Sequence, residues 1–420
     1  MTHPTTNLIS SFLIKYREEF IQIRRRLHQL AELSTLEYET GHYLMELLNQ
    51  WNIPYEYPVA ETGLIATIEG QSTSHVIPTV TAKQTPGIAG MDSSIHTPKV
   101  IALRADMDAL PIFESPVCPY ASQNPGVMHA CGHDAHMTIA LGVAKFFKEN
   151  EKNFSGCIRI FFQPAEETIG GASRMIQEGC MQHPKVDYVL GLHVAPYLET
   201  GTIQVKYDKF YAASDEISIL LHGKSCHGAY PDQGIDTIAM AAQFISSLQT
   251  IVSRNASPLD QCVLTLGTIR GGTAHNIIAD TVELTGALRT TSPDTREYVK
   301  KLLQQQLSGI CHAFGGSGTL TVTPGYDALI NTNTLVDLLI DTAIPILGKE
   351  NILFKESPGM GVEDFSHFLK EAPGVFYHLG CGNKKKGITA PLHSPNFALD
   401  EDSLALGIYL QIALVNALLA

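Results

Sequence analysis

The sequence predicts an α/β protein in which a mostly parallel sheet carries helices on both faces and is interrupted by a smaller α+β domain of ferredoxin-like order. Three observations predict it. Before residue 200, short runs rich in Val, Ile and Phe alternate with helical stretches, the pattern of a parallel sheet with crossover helices. After about residue 208 the order becomes strand, helix, strand, strand, helix, strand, which is the split βαβ arrangement. At 420 residues the chain also exceeds the ~250–300 residues that one hydrophobic core serves.

Residues 9–30 and 38–51 open the chain as amphipathic helices, with apolar positions at helical spacing in YLMELLNQW. GLIATIEG, VIALRAD, CIRIFFQP and VDYVLGLHV then read as buried strands, separated by helical stretches such as AHMTIALGVAKFFKEN and GGASRMIQEGC. The Ser-, Thr-, Pro- and Gly-rich stretch 71–99 has no period and reads as a surface loop. DEISILLHGKS, a helix through DTIAMAAQFISSLQTIVSR, VLTLGTIRGG, TVELTGALRT, a second helix and TLTVTPGY make up an inserted domain over 208–322. It divides a larger domain into 1–207 and 323–420, the second part holding a helix at 331–347, a strand near GVFYHLG and a last helix to the C-terminus.

In open parallel sheets, ligands gather outside the carboxyl ends of the strands, and the candidate motifs that precede residue 200 fall there. Cys131 and His133 stand one residue apart in MHACGHDAHM, hinged by Gly132 at a strand-to-helix crossover, with Asp134 suited to capping the helix. Glu166 and Glu167 follow CIRIFFQP. In such a pair one carboxylate can bind a metal while its neighbour takes a proton from metal-bound water; Gly170 and Gly171 beyond them leave room for a substrate. His193 ends VDYVLGLH and His393 lies in PLHSPNF. Thiolate, imidazole and carboxylate donors together suit Zn²⁺ and other first-row divalent ions. Asp106 and Asp108, alternating in LRADMDALPI, are placed to orient a ligand imidazole. In the inserted domain His227, Asn276 and Arg289 are of types that bind a carboxylate or polarise a carbonyl oxygen.

LRADMDALPI, MHACGHDAHM, QPAEE, GLHV, the His-Gly-Ala-Tyr-Pro segment, VEDF and LHSP, in that order, resemble the amidohydrolase branch of the aminoacylase/carboxypeptidase family of metallohydrolases, which includes hippurate hydrolases, N-acyl-amino-acid amidohydrolases and auxin-conjugate hydrolases. The resemblance runs from RRRLHQ near residue 24 to the C-terminus. It implies a catalytic α/β domain with an inserted lid or dimerisation domain, and two divalent ions per subunit, Mn²⁺ or Zn²⁺ with Co²⁺ and Ni²⁺ as alternatives. The implied ligands are Cys131, His133, Glu167, His193 and His393. Glu166 takes the general-base position and Asp108 that of an active-site aspartate. His227 is implied to reach the site across a dimer interface, with Asn276 and Arg289 helping to bind substrate. Ala31 stands where the family usually has proline, and Asp232 where its lid segment usually has a second histidine.

Composition narrows the partners. With 42 Asp+Glu against 29 Lys+Arg, a formal charge of −13 argues against nucleic-acid and anionic-membrane surfaces. The N-terminal segment has no uninterrupted apolar core of a signal peptide, no run of ~18 apolar residues follows, and eight scattered cysteines form no disulfide pattern. The expectation is a cytoplasmic enzyme, a homodimer through 208–322 or a higher oligomer, that hydrolyses the amide bond of N-acyl amino acids. Its rivals are a dipeptidase or carboxypeptidase on the same centre, a non-catalytic dimeric binding protein, and a cysteine hydrolase with Cys131 as nucleophile, which would survive chelation.

Overall fold

The computed structural model describes residues 4–73, 75–77, 98–115 and 118–420. Most of the 71–99 loop therefore lies outside the described residues. In chain order the strands are β1 (Tyr55–Val59), β2 (Gly63–Glu69), β3 (Val100–Asp106), β4 (Cys157–Gln163), β5 (Tyr188–Glu199), β6 (Ile203–Val205), β7 (Asp208–Tyr211), β8 (Ala213–His222), β9 (Cys226–His227), β10 (Cys262–Gly271), β11 (Ile277–Ile278), β12 (Thr281–Thr290), β13 (Ser317–Pro324), β14 (Leu329–Asn331), β15 (Ile352–Phe354) and β16 (Gly374–Gly382). The principal helices are α1 (Pro4–Leu30), α2 (Tyr38–Gln50), α3 (His133–Glu149), α4 (Gly171–Gln177), α5 (Thr237–Thr250), α6 (Pro293–Phe314), α7 (Asn333–Leu347) and α8 (Asp402–Leu419). The chain divides into two compact units, one of residues 1–208, 331–356 and 367–420, the other of 209–330 and 357–366.

The first unit is built on an eight-stranded sheet of order β1-β2-β4-β3-β5-β16-β6-β15. Its centre, β4-β3-β5-β16, is parallel, and antiparallel pairing begins at β2 on one side and β6 on the other. Burial on both faces explains the nearly continuous apolar strands. In β4, Ile158, Ile160 and Phe162 point into the main core, which also holds Val143, Phe146 and Phe147 of α3 and Ile408 and Ile412 of α8. The alternate residue Phe161 packs instead on Phe368, ring centroids 5.5 Å apart, on the other face. Helix α8 is long and apolar enough to cross a membrane, but 78% of it is buried within the protein, the signature of a core helix.

Parallel register sets the level of the site. Asp106, at the end of β3, pairs with Gln163 at the end of β4, so the segments that follow both strands emerge side by side. His193 pairs with His378 of β16 within a strand that continues to Glu199. It therefore lies in mid-strand, and the reading that it closes the strand is corrected: β5 runs on because Val194–Ala195 still have a partner in β16.

The second unit carries a four-stranded antiparallel sheet, β10-β12-β8-β13, whose inner face packs on α5 and α6. Ile217, Ile219 and Leu221 of β8 meet Phe244 and Leu248 of α5 and Val299, Leu303 and Leu307 of α6. Connections β8-α5-β10 and β12-α6-β13 are the split βαβ order read from the sequence. Asp236 caps α5 by accepting from Ile238 and Ala239 N–H, and Ser292 caps α6 ahead of Pro293.

Candidate metal centre

Cys131 and His133 are aimed by a glycine that no other residue can replace. Gly132 has φ +84°, and a Cβ there would lie 2.3 Å from Val194 Cγ2. Gly132 is itself the residue that precedes α3, with no side-chain cap. Asp134 thus sits in the first turn rather than at the cap. It is fully buried, accepts from His28 Nδ1 at 2.7 Å and pairs with Arg24 Nε at 2.9 Å. Burial opposes its charge, but Arg24 and His28 outweigh that and hold its carboxyl well below the usual range.

His133 is fully buried, and its Nδ1–H donates to the Asp108 carbonyl oxygen at 2.8 Å, which leaves Nε2 as the free ring nitrogen. Burial lowers its affinity for a proton, yet the carboxylates of Asp106, Asp108 and Glu167 prevail and push it up to about 10. Asp108 Oδ1 is 3.3 Å from His133 Nδ1, while Oδ2 accepts from Ser34 Oγ at 2.6 Å and from Glu167 N–H at 3.0 Å. Asp106 faces a different ring: it accepts from His136 Nδ1 at 2.6 Å, and its other oxygen is 3.6 Å from His133 Nε2. Both aspartates therefore contact imidazoles as the spacing suggested.

Glu166 and Glu167 follow β4 through Pro164 and Ala165. Ala165 adopts φ +55°, held by its N–H donating to the buried Glu37 carboxylate at 2.9 Å. Gly171 is required by packing, since a Cβ there would lie 1.8 Å from Pro164 O. At Gly171 the room is taken up by the turn itself, so the expectation that this glycine leaves room for a substrate is corrected. His193 directs Nδ1 at the Val194 carbonyl oxygen (2.8 Å) and Nε2 toward Cys131 Sγ (3.4 Å). His393 arrives from the far end of the chain. Its N–H donates to Ala130 O at 2.9 Å, its backbone takes φ +60°, and its Nε2 lies 3.5 Å from Glu167 Oε1.

The structure therefore brings together Cys131, His133, Glu166, Glu167, His193 and His393 in the first unit. Donor atoms of Cys131, His133 and His193 lie within 4.8 Å of one another, as do those of Cys131, Glu167 and His393, and those of His133, Glu166 and Glu167. Two of these trios share Cys131. His133 Nε2 and Glu167 Oε1 are buried without a hydrogen-bond partner. Such an atom costs ~1–3 kcal/mol when left alone, and a divalent ion between them would offset that cost. The residues therefore fit a divalent-metal centre. Burial, then Glu167 and Glu166, push the Cys131 thiol well up, so an ion must displace its proton. Glu167 is pulled down to about 2, as His393 and His133 overcome its burial.

Residue types alone did not single out His136, Ser34, Glu37 or the Arg24–His28–Asp134 network. His136 had a signal: it follows His133 by three residues on one helix, so the two rings share a face. Burial pulls it down to about 4 against the pull of Asp106. It is therefore a neutral imidazole, donating to Asp106 and accepting from Val194 N–H at 2.9 Å.

In the second unit, His227 and Asn276 are neighbours. Strand β9 pairs His227 with Ile277, and Gly228 N–H donates to Asn276 O at 2.8 Å. His227 is exposed, its Nδ1 accepting from Ala229 N–H at 3.1 Å. Arg289 is not beside them. It lies at the opposite end of β12 from Thr281, ~27 Å along the strand at ~3.4 Å per residue, and its Nη1 is buried without a partner.

Comparison with known proteins agrees with this geometry. The sequence profile of peptidase family M20/M25/M40 matches residues 102–417. An N-acetyldiaminopimelate deacetylase of Bacillus velezensis is 36% identical over 389 residues, 92% of this chain and 95% of that protein. Thermostable carboxypeptidase 2 of Saccharolobus solfataricus is 36% identical over 404 residues, 95% of this chain and 94% of that protein. Among solved structures, the Bacillus subtilis YXEP protein, described as a dinuclear metal binding peptidase from the M20 family, superposes with a TM-score of 0.78 at 29% identity, covering 96% of this chain and 99% of that one. The chain belongs to the M20/M25/M40 peptidase family and is a metal-dependent amidohydrolase.

Proposed function

We infer that the protein hydrolyses the amide bond of N-acyl amino acids, with two divalent ions held by Cys131, His133, Glu167, His193 and His393. The observation that carries this reading is the pair of carboxylates at one turn with different surroundings: Glu167 Oε1 faces His133 and His393, while Glu166 stands beside it. Bound divalent ions polarise the scissile carbonyl and lower the pKa of a water. Glu166 takes the proton from the attacking water and delivers it to the leaving amine. Asp108 holds His133 and the Glu167 backbone in place, and Asp106 does the same for His136. The thiolate donor favours Zn²⁺ or another first-row ion such as Mn²⁺, Co²⁺ or Ni²⁺ over Mg²⁺ or Ca²⁺.

The second unit acts in this reading as the lid and dimerisation domain. Arg289, with its unpartnered Nη1, binds the substrate carboxylate, and His227 with Asn276 supplies donors to the carbonyl oxygen from the neighbouring subunit. Two observations support a homodimer through this unit: the separation of Arg289 from His227 along β12, and exposed Val263 and Ile269 on the edge strand β10. Eight unpaired cysteines fit a reducing compartment, so the working location is the cytoplasm. A dipeptidase or carboxypeptidase activity is the second reading, favoured by the similarity to thermostable carboxypeptidase 2 over nearly the full length.

The test is a substrate screen of N-acetyl, N-benzoyl and longer N-acyl amino acids alongside dipeptides, with apo-protein reloaded by each metal in turn. Preference for N-acyl amino acids supports the reading. Turnover restricted to peptides would transfer the function to the peptidase alternative, and activity that persists after complete metal removal would overturn both.

A further inference from the structure

Outside the centre described above, His28, in the last turn of α1, faces two residues of the loop between β3 and α3. His28 and Glu114 each have their other donor atom anchored. His28 Nδ1 donates to Asp134 Oδ2 at 2.7 Å, and its Nε2 is hydrogen-bonded to Glu114 Oε1 at 3.1 Å. A carboxylate behind an imidazole is the arrangement that fixes the tautomer and raises the basicity of a metal-ligating histidine. Glu114 Oε2 accepts from Ser122 N–H at 2.7 Å, which leaves Oε1 turned to His28 Nε2 at 3.1 Å. Cys118 supplies a sulfur, and all three donor atoms lie within 4.8 Å of one another.

The one short separation, which is also a hydrogen-bond length, is compatible with a particular ion. With bonds of ~2.0–2.1 Å, tetrahedral Zn²⁺ holds neighbouring nitrogen and oxygen ligands about 3.3 Å apart, close to the 3.1 Å between His28 and Glu114. Thiolate, imidazole and carboxylate are all zinc donors, and three protein ligands leave one position for water. Charge is compatible too. The fully buried Arg24 guanidinium pairs with Asp134, so a dication bound to one thiolate and one carboxylate leaves the pocket balanced. The Tyr120 ring, 5.6 Å from that of His28, closes one side.

The geometry points to a further zinc site formed by His28, Glu114 and Cys118, distinct from the Cys131 centre and joined to it through Asp134, the neighbour of His133. The alternative occupant of the same space is a proton, with His28 as an imidazolium bridging Asp134 and Glu114.

The experiment is a zinc count on the full chain, stripped by chelator and re-equilibrated with excess Zn²⁺. Wild type should retain one ion per chain more than Cys118→Ser, and Glu114→Gln should lose the same ion. The difference does not depend on how many ions the Cys131 centre holds, so its failure is separable from failure of the proposed function. Cobalt gives a second readout. In a Cys131→Ser background the near-ultraviolet thiolate-to-cobalt charge-transfer band should persist, and adding Cys118→Ser should abolish it. Equal zinc counts in wild type and Cys118→Ser, or a cobalt band indifferent to Cys118, would leave the bridging imidazolium as the sole occupant and overturn the site.

Discussion

The Asp108 carboxylate accepts the Glu167 backbone N–H at 3.0 Å while its other oxygen lies 3.3 Å from His133 Nδ1. One side chain thus ties together a helix start and a strand-end turn that are remote in sequence, and with them two of the proposed metal donors. Ser34 completes its shell at 2.6 Å. Asp108→Asn keeps the size but turns one acceptor into a donor facing an N–H or hydroxyl. Metal affinity should fall by ~10–100-fold, as for other residues that orient ligands, measured by competition against a chromogenic chelator. Unchanged affinity would show that His133 and Glu167 are held by their own backbones alone.

The two neighbouring glutamates should separate by assay. Glu166→Gln should lower turnover by ~10²-fold or more with metal content near normal, because it removes a base and not a ligand. Glu167→Gln should instead lose metal on gel filtration, having given up the carboxylate that faces His133 and His393. If the metal loss followed Glu166→Gln, the roles would be exchanged.

Glu37 predicts a pH-dependent stability. Its carboxyl is pushed up by burial against the hydrogen bonds from Thr62 and Ala165. The folded pKa therefore lies above the unfolded value of ~4.3, and the native state binds more protons between the two. The contribution to stability is full below the unfolded value and is lost as pH rises through the folded one. Glu37→Gln does not titrate. The melting temperature of this variant relative to wild type should therefore climb between about pH 4 and pH 7, and thermal melts at both pH values check it. A difference that is flat or falls with pH would contradict the assignment.

His227 provides a test of assembly. His227→Ala removes a side chain that is exposed and lies on the second unit, away from the clustered donors in sequence, so folding and metal content should be retained while most turnover is lost. Mixing it with excess Glu166→Gln should restore some activity through hybrid dimers that pair an intact His227 with an intact Glu166. No recovery, in a mixture shown to exchange subunits, would place His227 in its own chain's site or outside catalysis.

How much of this was legible beforehand depends on the range of the forces involved. The alternating strands and helices, the split βαβ order and the helices 9–30 and 38–51 follow from periodicity, which acts over a few residues. Cys131, His133 and the Glu166-Glu167 pair stood out because each motif is local. Asp134 misled for the same reason. A locally favourable helix cap was overridden by a buried guanidinium and imidazole brought from α1. Glu37, Ser34 and the direction in which each histidine ring points have no local signature.

The amino-acid order by itself determined the donor types, the strand ends near which most of them fall, and the family that they resemble. Only the tertiary structure decided where the donors meet. His393 joins Glu167 because its N–H bonds to Ala130 O and its backbone is held at φ +60°, and Ala165 turns the glutamates inward because Glu37 accepts its N–H. A left-handed residue other than glycine costs free energy locally. It persists only where distant parts of the chain supply the compensating bonds, so it cannot be read from the residues beside it.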